Sequence, residues 1–297
     1  MKRILITGAA GFIGRHTLPL FIDDDIHAIS RQSQIQSDTV QWHQMDLLDR
    51  ASVEQLMATV KPTHLLHFAW DVRPRLYWTS LQNYQWVSAT LNLLHNFYEN
   101  GGQRMVIAGT CAEYDWQYGY CVEDSTPLSM STTYSACKSS LYRMAMTYAQ
   151  ETKMSLAWGR IFFPYGVYEH PSRLIPYVIQ SMLKRELAQT SHGEQYRDFL
   201  YVADVASAFV ALMNSDVQGA VNIGSGVPVK LKDIIYTIAD ILDARHLLEI
   251  GARQAANEPP MVVANVQRLS QDVAWTPRYS LSEGLAETIQ WWQSQQS

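Results

Sequence analysis

The segment Ile4–Leu5–Ile6–Thr7, running straight into Gly8-x-x-Gly11-x-x-Gly14, constrains this chain more than any other. A short apolar run, three glycines spaced by two residues and then a helical pattern read as strand, tight turn and helix. Gly8 permits the turn, Gly11 lets the backbone approach an anion, and Gly14 lets the helix pack close to the strand. The free N–H groups of the helix N-terminus then face that anion. The loop, with Phe12 and Ile13 inside it, is the expected seat of a dinucleotide pyrophosphate.

The rest of the chain repeats the alternation. Strand patterns fall at Arg3–Thr7, His27–Ser30, Val40–Gln44, His64–Phe68, Arg104–Ala108, Ser155–Ile161 and Val221–Ile223. Helical patterns fall at Ile13–Ile22, Ser52–Val60, Trp78–Glu99, Tyr134–Thr152, Pro171–Lys184, Val202–Asn214, Leu231–Leu242 and Leu281–Gln295. Strands separated by helices imply right-handed βαβ units, with ligands at the carboxyl ends of the strands. The expected fold is α/β: a Rossmann-type, doubly wound parallel sheet with a smaller α/β C-terminal lobe. Residues 1–165 form the expected core, with later segments such as 197–224 returning to it, and 166–297 form mainly the second lobe. Pro164, Pro171, Pro176, Pro228, Pro259, Pro260 and Pro277 break the regularity beyond the core.

Composition narrows the partners. With 297 residues, 47% hydrophobic and 17% charged, the chain can bury a large core. A net charge of −5 and no basic run give no reason to expect nucleic acid or an anionic membrane surface. No apolar stretch reaches the ~20 residues of a membrane span, and Thr7–Gly8 cuts the first apolar run short of a signal-peptide core. Cys111, Cys121 and Cys137 lack metal-ligand spacing, so reduced thiols, no bound metal and a cytoplasmic setting are expected.

Two further patterns carry chemistry. Tyr134-Ser-Ala-Cys-Lys138 opens a helix with a phenol and an ammonium at i and i+4, on one face. Such an ammonium is expected to lower the phenol's pKa, so that Tyr134 can exchange a proton near neutral pH. The strand ending at Ala108–Gly109–Thr110 puts the Thr110 hydroxyl at a carboxyl end, where sites lie.

With these residues in place, the chain resembles the extended short-chain dehydrogenase/reductase family acting on nucleotide-linked sugars. The resemblance runs through Thr7–Gly14, Asp46–Leu47, His67–Phe68–Ala69, Asn83, Thr90–Leu91–Asn92, Thr110 and Tyr134-x-x-x-Lys138. It continues in Arg160–Gly166, Arg197–Val205 and Asn222–Gly226. It implies Tyr134 as general acid/base, Lys138 as its pKa-lowering and ribose-binding partner, and Thr110 as a donor to the substrate oxygen. Asp46 and Leu47 would border the adenine, and Ala69 and Phe162 would line the cofactor. Arg197 and Arg253 would bind the substrate diphosphate through bidentate guanidinium forks. The resemblance also implies a homodimer built on the helices Trp78–Glu99 and Tyr134–Thr152, and makes 166–297 mainly the nucleotide-sugar lobe.

The second strand ends in Ser30–Arg31 rather than in the carboxylate that accepts from the ribose hydroxyls of NAD. Arg31, assisted by Arg15, suits a 2′-phosphate, so NADP is the favoured cofactor and NAD the alternative. An NADPH consumer of this family is expected to reduce a nucleotide-linked 4-keto-6-deoxysugar, with hydride to the keto carbon and Tyr134 as proton donor. The alternative is an NAD-dependent nucleotide-sugar 4-epimerase. Cys111–Ala112 stand where family dehydratases resemble one another in an Asp-Glu pair, which disfavours water elimination. Phe163 stands where many epimerases carry Asn. A Cys111–His170 acid–base pair for carbon inversion is a weaker reading than a buried small thiol and a solvated loop histidine, and a regulator that senses NADP without turnover is weaker because Tyr134 and Lys138 are both kept. Gly193–Phe199, with Asn257–Glu258 and Val263–Asn265, is loosely similar to short bacterial sugar 4-reductases. The tryptophans are expected to pack in cores, except Trp70, which follows Ala69 at a strand end and can face the substrate; His67 reads as a packed residue.

Overall fold

The structure, a computed structural model, describes residues 1–254 and 259–295. Seven strands form a wholly parallel sheet in the order Gly219–Ile223, Ser155–Ile161, Arg104–Thr110, His64–His67, Arg3–Thr7, Asp25–Ser30, Gln41–Gln44. The order reverses between Arg3–Thr7 and His64–His67, and the crevice at that switch point is where a ligand finds room. Ile4, Leu5 and Ile6 are fully buried because helices cover both faces of the sheet, which is why these strands read as unbroken apolar runs. On one face pack the helices Arg50–Val60, Gln82–Glu99 and Thr133–Thr152; on the other packs Val202–Asn214.

The expected strands are all present, three of them longer than expected: the second begins at Asp25, Arg104 runs on to Thr110, and the last begins at Gly219. The first helix is much shorter than its pattern. It spans Gly14–Thr17 and passes into a 3₁₀ turn at Leu18–Leu20. Pro19 is the reason, since it lacks an N–H and its ring clashes with the preceding helical turn.

A second sheet escapes the sequence patterns. Pro228–Lys230, Tyr196–Tyr201, Met261–Ala264 and Tyr120–Cys121 pair in that order, with Phe163–Tyr165 beside Tyr196–Tyr201. These strands have two to six residues and come from distant parts of the chain, so no local period marks them. The buried Asp198 carboxylate joins them. It accepts from Ser225 N (2.6 Å), Ser225 Oγ (2.7 Å), Gly226 N (2.9 Å) and Ala264 N (3.0 Å). Among the described residues no helix is long and apolar enough to cross a membrane.

Candidate active site

The glycine loop is shaped by close backbone approach. Gly8 has φ +67°, and a Cβ there would lie 2.9 Å from Ala69 N; a Cβ on Gly14 would collide with the Gly8 carbonyl oxygen. Gly11 N donates to Gly8 O at 2.9 Å. The loop is therefore a cradle of bare backbone of the kind a pyrophosphate requires. Beneath it, the hydroxyl of Thr7 meets His67 Nδ1 at 2.7 Å and accepts from Ala69 N at 3.2 Å, while His67 Nε2 meets Thr90 Oγ1 at 2.9 Å. Burial pulls the His67 pKa down to about 3, so the ring is neutral and works as a packed strut, as expected.

Thr110 closes its strand as the cap of a short 3₁₀ turn, its hydroxyl accepting from Ala112 N at 3.2 Å. Its own N–H donates to Glu113 Oε1 at 2.9 Å. Glu113 is fully buried and also accepts from Trp158 Nε1 (2.9 Å) and Arg160 Nε (2.8 Å). The carboxylate that follows Thr110 is thus spent on the framework.

Tyr134 lies in the first turn of the helix Thr133–Thr152, which Thr132 caps by accepting from Ser135 N at 3.1 Å. Its ring is buried edge-on against Tyr77 (4.8 Å), Trp78 (5.8 Å) and Trp70 (6.4 Å between centroids). Lys138, one turn later, donates to Ala108 O at 2.9 Å and places Nζ 3.9 Å from the centre of the Trp70 ring. The expectation that Lys138 lowers the Tyr134 pKa requires correction. Burial dominates and pushes the phenol well above its ordinary value, opposed by a hydrogen bond with Thr110. Burial likewise pulls Lys138 down to about 7, with Glu113 holding it up in part.

Thr110, Tyr134 and Lys138 share a cavity of about 560 Å³ with Gly8, Gly11, Phe12, Ile13, Gly14, Ala69, Phe162 and Arg197. Arg197 is buried; it donates to Pro259 O at 3.0 Å and lies 5.5 Å from the Phe163 ring. Four other expected residues are not among those that line the cavity. Arg31 is exposed in the loop after its strand, and Asp46 is exposed with its carboxylate accepting from Leu48 N at 3.0 Å. Leu47 packs in the core. Arg253 is exposed and lies over Tyr177, donating to its hydroxyl at 2.8 Å. Asn257 and Glu258 lie outside the described residues.

Sequence reading missed Tyr77, Glu169 and Arg173, all on the cavity wall, and treated Trp78 and Trp116 there as ordinary packing. Glu169 Oε2 is enclosed without a hydrogen-bond partner among the described residues, and burial pushes its carboxyl up to about 8. The signal was the stretch after Tyr165, read as helix from Pro171; the helix starts only at Leu174, leaving a strand-end loop on the cavity. Cys111 and His170 both line the cavity, but the Cys111 thiol points to Phe162 O (3.9 Å) and burial raises its pKa well above the ordinary value. A smaller cavity of about 340 Å³ opens between Ala9, Ala10, Arg15, Gln34, Trp42 and Tyr168. There Arg15 donates to Ala10 O at 2.6 Å and sits 4.0 Å over the Tyr168 ring.

Residues 4–224 match the model of the NAD dependent epimerase/dehydratase family. The chain is 24% identical to dTDP-D-glucose 4,6-dehydratase of Mus musculus, over 98% of this chain and 88% of that one. In fold it is similar to the UDP-N-acetylglucosamine 4-epimerase of Methanobrevibacter ruminantium, with a TM-score of 0.90, 22% identity and 99% of each chain covered. It is also similar to the dTDP-glucose 4,6-dehydratase of Bacillus anthracis solved with NAD, with a TM-score of 0.86, 21% identity, and 99% of this chain and 97% of that one covered.

Proposed function

Because the chain belongs to the NAD dependent epimerase/dehydratase family, whose enzymes act on nucleotide sugars, we propose that it is an NADPH-dependent reductase of a nucleotide-linked 4-keto-6-deoxysugar. The observation that carries this reading is the end of the strand Asp25–Ser30. The strand ends in Ser30 rather than a carboxylate; Ser30 is buried, Arg31 reaches solvent, and Arg15 lines the smaller cavity beside the glycine-loop residues Ala9 and Ala10. Two guanidinium groups near the adenosine end favour a 2′-phosphate.

The glycine loop Gly8–Gly14 would hold NADPH, which when bound would supply a hydride for the keto carbon. Tyr134 gives its phenolic proton to the substrate oxygen, and Thr110 hydrogen-bonds the same oxygen. Burial keeps that phenol protonated, which is the state a reduction consumes. Lys138 holds the nicotinamide ribose, and Arg197 takes the diphosphate. The rings of Tyr77, Trp78, Trp116 and Phe163 also line the cavity. The Trp116 N–H is occupied by Cys111 O at 2.7 Å. The lobe that supplies Arg197 is the proposed nucleotide-sugar lobe, and the working form is proposed to be a cytoplasmic homodimer.

The alternative, an NAD-dependent nucleotide-sugar 4-epimerase, would use the same Thr110, Tyr134 and Lys138, and is favoured by the NAD bound in a protein of similar fold. NADPH oxidation against a panel of nucleotide-linked 4-keto-6-deoxysugars separates the two. Oxidation by at least one member is expected. No oxidation by any, with interconversion of ordinary nucleotide sugars in the absence of added dinucleotide, replaces the reductase by the epimerase.

A further inference from the structure

Lys138 is buried and lines the cavity, and its surroundings are unequal. On one side the ammonium donates to Ala108 O at 2.9 Å; on the other it faces the Trp70 ring, 3.9 Å from the centroid, with Trp158 farther off at 5.8 Å. The titratable groups coupled to it are Glu113 and His67. His67 is neutral, and Tyr134 stays protonated. Glu113 is already paired with Arg160 Nε at 2.8 Å. Trp70 is itself fixed from behind. Its Nε1 donates to Asn83 Oδ1 at 2.8 Å, and Asn83, buried at the start of the helix Gln82–Glu99, donates from Nδ2 to Tyr77 O (2.7 Å) and Ser80 O (2.8 Å). Trp86 stacks against it with 6.1 Å between ring centroids. The indole has one orientation, with its face toward the cation.

We propose that Trp70 is a positioning residue for Lys138: its ring face, locked by Asn83, holds the side chain beside Tyr134 in the charged form that the site uses. This rests on the reading of Lys138 as a working side chain of the site. A buried ammonium with a single carbonyl acceptor is poorly solvated, and the negative face of the indole offsets this together with the more distant Glu113 carboxylate. The same contact keeps Nζ turned into the cavity rather than along the helix. Burial already brings Lys138 down to about 7, so any loss of cation stabilisation moves its titration through the range in which the protein works.

The test reads Lys138 directly. Protein labelled with ¹³C at lysine Cε is titrated by NMR, with Lys138→Arg to identify the resonance. Removing the ring in Trp70→Leu is expected to lower the Lys138 midpoint by about one pH unit, a desolvated cation–π contact expressed as a pKa shift. Trp70→Phe, which keeps a ring face, restores at least half of that shift. Fluorinated tryptophans inserted at position 70 preserve shape while draining the ring face, and are expected to lower the midpoint in step with fluorine number; this series decides the matter if Trp70→Leu fails to fold. In kcat/KM the alkaline limb moves to lower pH by the same amount. A midpoint that is equal in the wild type, Trp70→Leu and the fluorinated series overturns the proposal. A midpoint that shifts as expected in a protein that reduces no keto sugar leaves the positioning role standing and removes the reductase reading alone.

Discussion

Burial holds the proton on the Tyr134 phenol, and a hydrogen bond with Thr110 partly opposes it. If that proton is the one delivered to substrate, Tyr134→Phe lowers turnover by about 10²–10⁴-fold. Dinucleotide affinity, followed by fluorescence titration, stays within about twofold, because the ring and its packing against Tyr77 remain. Glu169 provides a residue-scale prediction about stability. Folded, its carboxyl keeps its proton up to about 8, whereas an unhindered one ionises near 4.5. Between those limits the folded protein binds more protons than the unfolded chain, so Glu169 costs stability as pH rises from about 4.5 to about 8. Glu169→Gln is expected to raise Tm near pH 8 by about 2–4 °C or more, and to leave it unchanged near pH 4. A Tm difference independent of pH contradicts this account.

Some elements were legible because each has a local cause. The helix Arg50–Val60 starts at Asp49, whose carboxylate accepts from Ala51 N, and Leu281–Ser294 starts at a Ser280–Glu283 capping box. The loop Gly8–Gly14 was legible for a stricter reason, since its spacing is set by atoms a Cβ would displace. Gly14→Ala puts a methyl group against the Gly8 carbonyl oxygen and Ala9 Cα, both backbone atoms of the turn. It is expected to lower dinucleotide affinity by about tenfold or more in isothermal titration, and to lower Tm as well. Unchanged binding would show that the loop yields and that its shape is not what grips the ligand. Helix ends were less legible where a proline or a loop intervenes. Pro19 cut the first helix short, and the stretch from Tyr168 to Arg173, read partly as helix, is the wall that carries Glu169.

At the scale of the molecule, the two sheets are tied by buried polar groups. Arg160 joins Glu113 to the Tyr114 hydroxyl, and that hydroxyl donates to Asn222 Oδ1 at 2.7 Å. Asn222 in turn donates to Cys121 O (2.9 Å) and Asn265 O (3.0 Å). Each member is hydrogen-bonded, as buried charge requires. Outside, the helices Gln82–Glu99 and Thr133–Thr152 pack side by side and leave Tyr84 and Met144 exposed, at 61% and 41%. If this face is the homodimer surface, light scattering returns twice the 33.8 kDa chain mass, and Tyr84→Asp with Met144→Asp returns a single chain. A wild-type monomer at micromolar concentration refutes the dimer. The sequence by itself determined the parallel strands, the glycine cradle and the presence of Thr110, Tyr134 and Lys138, because each depends on a periodicity or on a fixed offset along the chain. Only the tertiary structure decided that Arg197 lines the cavity while Arg253 packs on Tyr177, that Glu169 joins the wall, and that Lys138 leans on Trp70. Those outcomes depend on which distant side chains burial brings together, and desolvation, which sets the charge each group keeps, has no signature in the order of residues.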